Sequence, residues 1–366
     1  MSTELNTNLT TPEGLATYLA STPYNSASIE TVSGGYNGFL YRVVLKEPLK
    51  ITGEKTVIVK HTLGYAAQSI LTMSGDGSGP EVTPLGAERM DFEHEALQMV
   101  ASNPDFSSVV RVPHVHAYDP HTHTLIMSDV APCRPLSIVS QESDDTLLSH
   151  IGRALGEFMG RFHKWSTLPE QAGARKRFSE NKTSAGEMLR IRWQLALTAA
   201  KKYGVERTWM EDMYLAGMED ARRGRVICMG DFWFDNILIS TTGDLQIYIV
   251  DWEAARTAQP ELDVALFATE NYSLEHYHKP MPLMREFFEA YKAHMDLDEM
   301  SMAKHAGRDI LGYGPIQSWV LDRDESVKQP IAQLGVELLE AAHTGDRTAL
   351  RKNPVLVDMY AHANLK

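Results

Sequence analysis

The chain has 366 residues, 43% apolar and 23% charged, enough to build a sizeable core and unlike a mostly disordered chain. Acids outnumber bases 48 to 35, a net charge of −13, and neither the first 130 residues (14 acids, 7 bases) nor the remainder (34 and 28) is basic. A counterion-releasing nucleic-acid surface or an anionic-membrane surface is therefore not expected. Cys133 and Cys228 form no CxxC pair, the first residues carry no basic, apolar leader pattern, and no run approaches the ~18 apolar residues of a membrane span. A soluble, cytoplasmic protein is expected. At roughly 150 residues per domain, two domains or lobes follow.

In chain order, Thr11-Pro12 predicts a helix start with Leu15, Tyr18 and Leu19 on one face. Phe39–Leu45 and Val57–Lys60 read as strands with Gly53 in the turn between them, and residues 64–86, rich in Gly, Ser and Pro, as a loop. A helix is predicted from Glu88 to about Asn103-Pro104, and a strand over Thr124–Val130. Pro132 and Pro135 mark a composition break, which predicts a β-rich lobe over 1–130 and a mainly helical lobe over 131–366. In the second lobe Leu147, Leu148, Ile151, Leu155, Phe158, Met159 and Phe162 recur at helical spacing. Further helices are predicted at about 184–202, 208–223, 282–295, 299–321, 329–343 and 346–360. One β island, Val226–Met229, Ile237–Ser240 and Gln246–Val250, interrupts them.

That island reads MGDFWFDNILI, a turn at Thr242-Gly243, then IYIVDWE. Asp231 is followed by Asn236 in a D-x4-N spacing, and Asp251 ends the next apolar strand. Phosphoryl transfer from a nucleotide needs these groups: an acid to orient and deprotonate the attacking hydroxyl, and two oxygen ligands for Mg2+. The order matches the catalytic-loop Asp and Asn and the metal-binding Asp of kinases. Upstream, TVIVKH places Lys60 in an apolar strand, where a lysine is costly without an anion. Glu93 on the next helix is positioned to pair with it; Glu95 is the alternative, ~200° away around the helix. In TVSGGYNGFLYRV, Ser33, Gly34, Gly35 and Gly38 lie between strand-like runs, a place where bare backbone amides approach phosphates. No GxxxxGK[ST] occurs, which excludes a P-loop mechanism.

These motifs, with ERMDFEHEAL, LIMSDV, GRFHKW and WEAARTAQPELDVALF, resemble the aminoglycoside phosphotransferase and choline kinase-like superfamily from about residue 10 to 275. Within it the likeness is strongest to fungal small-molecule kinases of the 4-hydroxytryptamine kinase type, with methylthioribose kinase more distant. The resemblance implies an α+β, bilobal protein-kinase-like fold and an ATP- and Mg2+-dependent kinase that phosphorylates a small-molecule hydroxyl. It implies Asp231 as catalytic base and Asn236 and Asp251 as metal ligands. Ser33, Gly34, Gly35, Lys60 and Glu93 would serve the nucleotide, and the Ser128 to Val130 backbone would form the adenine-binding hinge. Asp263 matches a residue that supports the helical lobe. Two departures stand out. Met229 replaces the usual His before Gly-Asp, so the loop needs another brace, and the bulky pair Phe234-Asp235 replaces small residues before the Asn, which is expected to reshape the acceptor side.

Trp233, beside Asp231, is the aromatic residue expected to touch the acceptor; Trp252, Tyr272, Tyr277, Tyr313 and Trp319 read as core. The run of His114, His116, His121 and His123 reads as strand-turn-strand rather than a metal site. His163 reads as packing or capping, and Glu270, Glu275, Asp322 and Asp324 as a solvated face. The alternatives are a nucleotide-binding pseudokinase scaffold, or a protein kinase or nucleotidyl transferase on the same fold. The intact set of four polar groups weighs against the first, and the absence of an activation segment after Asp251 against a protein kinase.

Overall fold

The structure, a computed structural model, describes residues 8–32, 37–67, 84–220, 223–240 and 242–361. The chain divides into two compact units, residues 1–102 with 112–131, and residues 103–111 with 132–366. In the first, α1 (Pro12–Leu19) starts at Thr11, whose side chain accepts from the Gly14 amide. Strands β1 (Ser26–Thr31), β2 (Phe39–Leu45) and β3 (Thr56–His61) follow, with Gly53 at φ 73° in the β2–β3 turn, and then α2 (Arg89–Ala101). After lending β4 (Val110–Arg111) to the second unit, the chain returns with β5 (Val115–Asp119) and β6 (Thr124–Ser128). The five strands form an antiparallel sheet in the order β1-β2-β3-β6-β5. Their period-2 pattern puts Tyr41, Val43, Val57, Val59 and Ile126 into one core with Leu15 and Leu19.

The second unit contains β7 (Arg134–Pro135), α3 (Leu136–Glu142), α4 (Asp145–Ser166), α5 (Ala172–Phe178), α6 (Leu189–Tyr203) and α7 (Met210–Asp220). Strands β8 (Val226–Cys228), β9 (Ile237–Ser240), β10 (Gln246–Ile249) and β11 (Arg256–Ala258) come next. Helices α8 (Glu261–Tyr277), α9 (Leu283–Lys292), α10 (Glu299–Gly312), α11 (Glu325–Thr344) and α12 (Arg347–Lys352) complete it. The strands form two small sheets, β4-β10-β9-β7 and β11-β8. Helix α4, capped by Asp144, turns Gly152 and Gly156 onto α9, where a Cβ would overlap the carbonyls of Leu283 and Phe287. Those glycines let the two backbones touch. Among the described residues, no helix is long and apolar enough to cross a membrane.

The strands of the β island and the long α4 lie where the periodicity places them. Helix α8 is not signalled, because thirteen of its residues are buried, polar and apolar alike, and an all-round buried helix shows no apolar stripe. The helix predicted at 299–321 stops at Gly312, before Gly314-Pro315. The one predicted at 346–360 is two pieces, α12 and a 3-10 turn over Val357–Tyr360, broken at Asn353-Pro354. The first turn of the helix predicted at 184–202 is a π-turn, Ser184–Met188. Of the predicted loop at 64–86, residues 68–83 lie outside the described residues.

Candidate active site

In the first unit, Lys60 lies on β3, paired in register with Leu40 of β2 and Leu125 of β6, so the sheet fixes its backbone on both sides. Its side chain is buried (7% exposed) and its Nζ is 2.7 Å from Oε2 of Glu93, itself 1% exposed, on α2. A cation buried this deeply is costly unless paired. A Cβ on Gly38 would meet the His61 carbonyl and Thr62 Cγ2 at 3.2 Å and Lys60 Cε at 3.5 Å, so a bare backbone at Gly38 leaves the lysine its room. Ser33, Gly34 and Gly35 lie outside the described residues. Ser128 ends β6, where its amide donates to the His114 carbonyl and its Oγ lies 3.2 Å from His116 Nε2. Next to it Asp129 is held by Arg42 (2.7 and 3.3 Å), which orders the backbone leading to Val130. Of the histidine run, His116 pairs with Glu54 at 2.6 Å.

In the second unit, β8 leads into the segment that carries Asp231. Gly230 sits at φ 86°, and a Cβ there would overlap the Ala254 carbonyl, so only glycine makes this turn. The Met229 and Gly230 amides each donate to Asp263 at 2.8 Å. Asp263 is in turn 3.2 Å from Nε2 of His163, whose Nδ1 is 2.8 Å from the Tyr291 hydroxyl. The brace that Met229 cannot supply by its side chain thus comes through its backbone. His163, expected to pack or cap, is a fully buried member of that hydrogen-bonded chain.

Asn236 turns its amide nitrogen to Asp231, donating to its carbonyl (3.0 Å) and to Oδ2 (3.2 Å). Val250, just before Asp251, donates to the Asn236 carbonyl at 2.9 Å, which ties the two motifs together. Asp251 itself has φ 64°, a left-handed conformation rare for a non-glycine residue. The segment after it is pinned by the Asn181 amide on the carbonyls of Glu253 and Ala255 (3.0 and 2.9 Å) and by the Ser184 hydroxyl on Ala254 (2.6 Å). The Asp231 carboxyl is pushed up to about 7, first by burial, then by the Asp251 charge, against the opposing pull of Arg192. The Asn236 amide oxygen takes no hydrogen bond among the described residues, and Asp251 supplies a carboxylate whose charge acts on Asp231. One amide oxygen and one carboxylate, beside a second carboxylate, fit a hard divalent cation.

Phe234, expected to reshape the acceptor side, is fully buried against Phe267 (ring centroids 5.0 Å), and Asp235 takes the Ser137 hydroxyl. The pair is turned into the fold. Trp233 is half-buried, and its Nε1 has no hydrogen-bond partner among the described residues. Trp252 is core, with Nε1 donating to Ile249 at 3.1 Å.

Two groups near Asp231, Arg192 and Glu270, are not signalled by the motifs. Arg192 of α6 donates to the Gly230 carbonyl (3.3 Å) and pairs with Asp309 of α10 (2.8 Å). Glu270 of α8, expected on a solvated face, is 2% exposed; it accepts from the Phe234 amide (2.7 Å) and from Gln317 (3.1 Å). Burial raises its carboxyl to about 8. The signal for both is their placement in helices rich in apolar residues, where a charge needs a partner.

A model of the phosphotransferase enzyme family, APH, matches residues 49–300. The 4-hydroxytryptamine kinase of Psilocybe cyanescens is 26% identical over 365 residues, covering 93% of this chain and 95% of that one. That of Psilocybe cubensis is 26% identical over 289 residues, covering 74% and 75%. Among solved structures, a Ralstonia eutropha protein assigned as an aminoglycoside phosphotransferase superposes with TM-score 0.51 at 14% identity, covering 90% of this chain and 98% of that one. A streptomycin–ATP complex of the aminoglycoside phosphotransferase APH(2")-IIa superposes with TM-score 0.50 at 11% identity, covering 89% and 97%. At such identities these two speak for the fold, which is the α+β, bilobal kinase-like class that the motifs imply. The family match spans more than half of the sequence, and the chain belongs to the phosphotransferase enzyme family.

Proposed function

We propose that this phosphotransferase moves the γ-phosphoryl group of ATP to the hydroxyl of a small molecule that carries an amine. The observation that carries the reading is the Asp231–Asn236–Asp251 constellation, with the Asp231 carboxyl raised to about 7. A carboxylate with that affinity accepts a proton near neutral pH. Asp231 takes the hydroxyl proton as the acceptor oxygen bonds to the γ-phosphorus; the bond from that phosphorus to the β–γ bridging oxygen breaks, and ADP leaves. The Asn236 amide holds the Asp231 carboxylate in one orientation. Asn236 and Asp251 would hold Mg2+, which when bound offsets charge on the phosphates. Lys60, paired with Glu93, would meet the α- and β-phosphates, with Ser33, Gly34 and Gly35 supplying loop amides and Ser128 to Val130 the backbone for adenine.

The amine preference rests on Glu270 and Trp233. Glu270 is buried near Asp231 and Asp235, and burial raises its carboxyl to about 8. An ammonium beside it would be paired on arrival, with the Trp233 ring available to its apolar part. The two Psilocybe relatives, named as kinases of a hydroxylated tryptamine, point to the same acceptor chemistry. The test is mass spectrometry of hydroxylated acceptors after incubation with Mg-ATP: hydroxytryptamines, amino alcohols, aminoglycosides and their amine-free counterparts. Phosphorylated amine acceptors support the reading. Phosphorylation of the amine-free set alone removes the role of Glu270, and ATP binding without any product favours a pseudokinase.

A further inference from the structure

Away from the catalytic segment, a cavity of about 750 Å³ opens among α6, α7, α10 and β11. Its wall includes Leu189, Trp193 and Met213 on the apolar side and Arg256, His305 and Arg308 on the polar side. The second unit buries three guanidiniums, on Arg192, Arg256 and Arg308, each 5% exposed or less. Asp309 answers two of them: its oxygens accept from Arg192 and, at 2.7 and 2.8 Å, from Arg308. Arg256 has no such carboxylate partner among the described residues. It donates to the Ser184 carbonyl, and its Nε, buried, has no hydrogen-bond partner among the described residues. The Nδ1 of His305 is likewise buried without one. Of the carboxylates on the same wall, Glu261 accepts from Arg225, Ser301 and the Asp298 amide, Asp298 accepts from the Ser301 amide, and Asp212 of α7 is exposed.

A buried guanidinium beside a cavity, with no carboxylate in contact with it among the described residues, is a place for an anion. The local field agrees: burial and then Arg192 lower the Arg256 pKa to about 10, and burial and then Arg308 press His305 well below its usual value. The apolar wall fits a ring or similar group, and the volume exceeds what a bare oxyanion fills. We propose that this cavity is a second ligand site, which takes a phosphate monoester with an aryl-sized organic group, its phosphate on Arg256 and Arg308 and its ring against Trp193 and Met213. Through Arg308, Asp309 and Arg192, hydrogen bonds run from the cavity wall to the Gly230 carbonyl.

The probes are phenyl phosphate and inorganic phosphate, titrated calorimetrically into the full chain. Saturable binding of phenyl phosphate is expected, about tenfold or more weakened in Arg256→Met and for inorganic phosphate. Should Arg256→Met fail to fold, Met213→Glu decides, because it sets an acid on a half-buried wall position and should weaken binding by a similar factor. Equal affinity in wild type and variant overturns the proposal and assigns any binding to the catalytic site. No binding of phenyl phosphate, or inorganic phosphate binding as tightly, also overturns it.

Discussion

Replacing Asp231 by Asn should stabilise the free protein at alkaline pH while removing its proton acceptor. In the unfolded chain the carboxyl ionises near its ordinary value of 3.8; in the fold it does so at about 7, mainly because burial penalises the charge and Asp251 repels it. The sign follows from the proton count. Below about 4 both states hold the proton, and the fold carries no penalty. As pH rises toward 7 the unfolded state gives up its proton and the folded state keeps it, so stability is lost steadily, by about 1.4 kcal/mol per pH unit. From pH 5 to pH 8 the loss is about 3 kcal/mol. An Asn at this position is neutral throughout, and its side-chain oxygen still accepts from Asn236. Thermal unfolding without nucleotide or Mg2+ at pH 5 and pH 8 measures the difference. The advantage of Asp231→Asn over wild type should grow between the two by several degrees, at roughly 2–4 °C per kcal/mol. A variant with the same offset at both pH values would refute the burial-and-repulsion account of Asp231.

Other consequences reach different parts of the fold. Glu270→Gln removes the buried acid beside Asp231 and should raise KM for amine acceptors about tenfold while leaving amine-free acceptors unchanged, which steady-state kinetics on matched pairs would show. Asp309→Asn leaves Arg192 and Arg308 buried without their carboxylate and should cost about 3–5 kcal/mol in denaturant unfolding. An effect below 1 kcal/mol would mean that other groups balance those guanidiniums. Gly156→Ala places a Cβ on the Phe287 carbonyl and should cost about 1–3 kcal/mol as α4 and α9 are pushed apart, whereas the same change at Gly173, where nothing lies near, should be close to neutral.

What the sequence discloses is the part dictated by chemistry or by exposed periodicity. Asp231, Asn236 and Asp251 stand out because the oxygen ligands and base proposed for phosphoryl transfer need fixed spacing around neighbouring strands, and Lys60 because a lysine inside an apolar strand demands an explanation. The helix α4 is legible from its one apolar face. Helix α8 is not, since it is buried all round and leaves no stripe, and with it Glu270 passes for a surface acid. Arg192 and Asp309 are silent for a related reason: each looks like an ordinary charge on an amphipathic helix until α6 and α10 bring them to 2.8 Å. The consequence of Phe234 also needs the fold, because only packing against Phe267 shows that its bulk points inward.

The central claim is that Asp231 accepts the proton in phosphoryl transfer to a small-molecule hydroxyl. Single-turnover transfer from Mg-ATP to the best acceptor, in wild type and Asp231→Asn, with nucleotide affinity measured on the same samples, tests it most directly. Unchanged nucleotide binding and a transfer rate lowered by about 10²–10⁴ are expected. Transfer at the wild-type rate in a variant that binds nucleotide normally would contradict it.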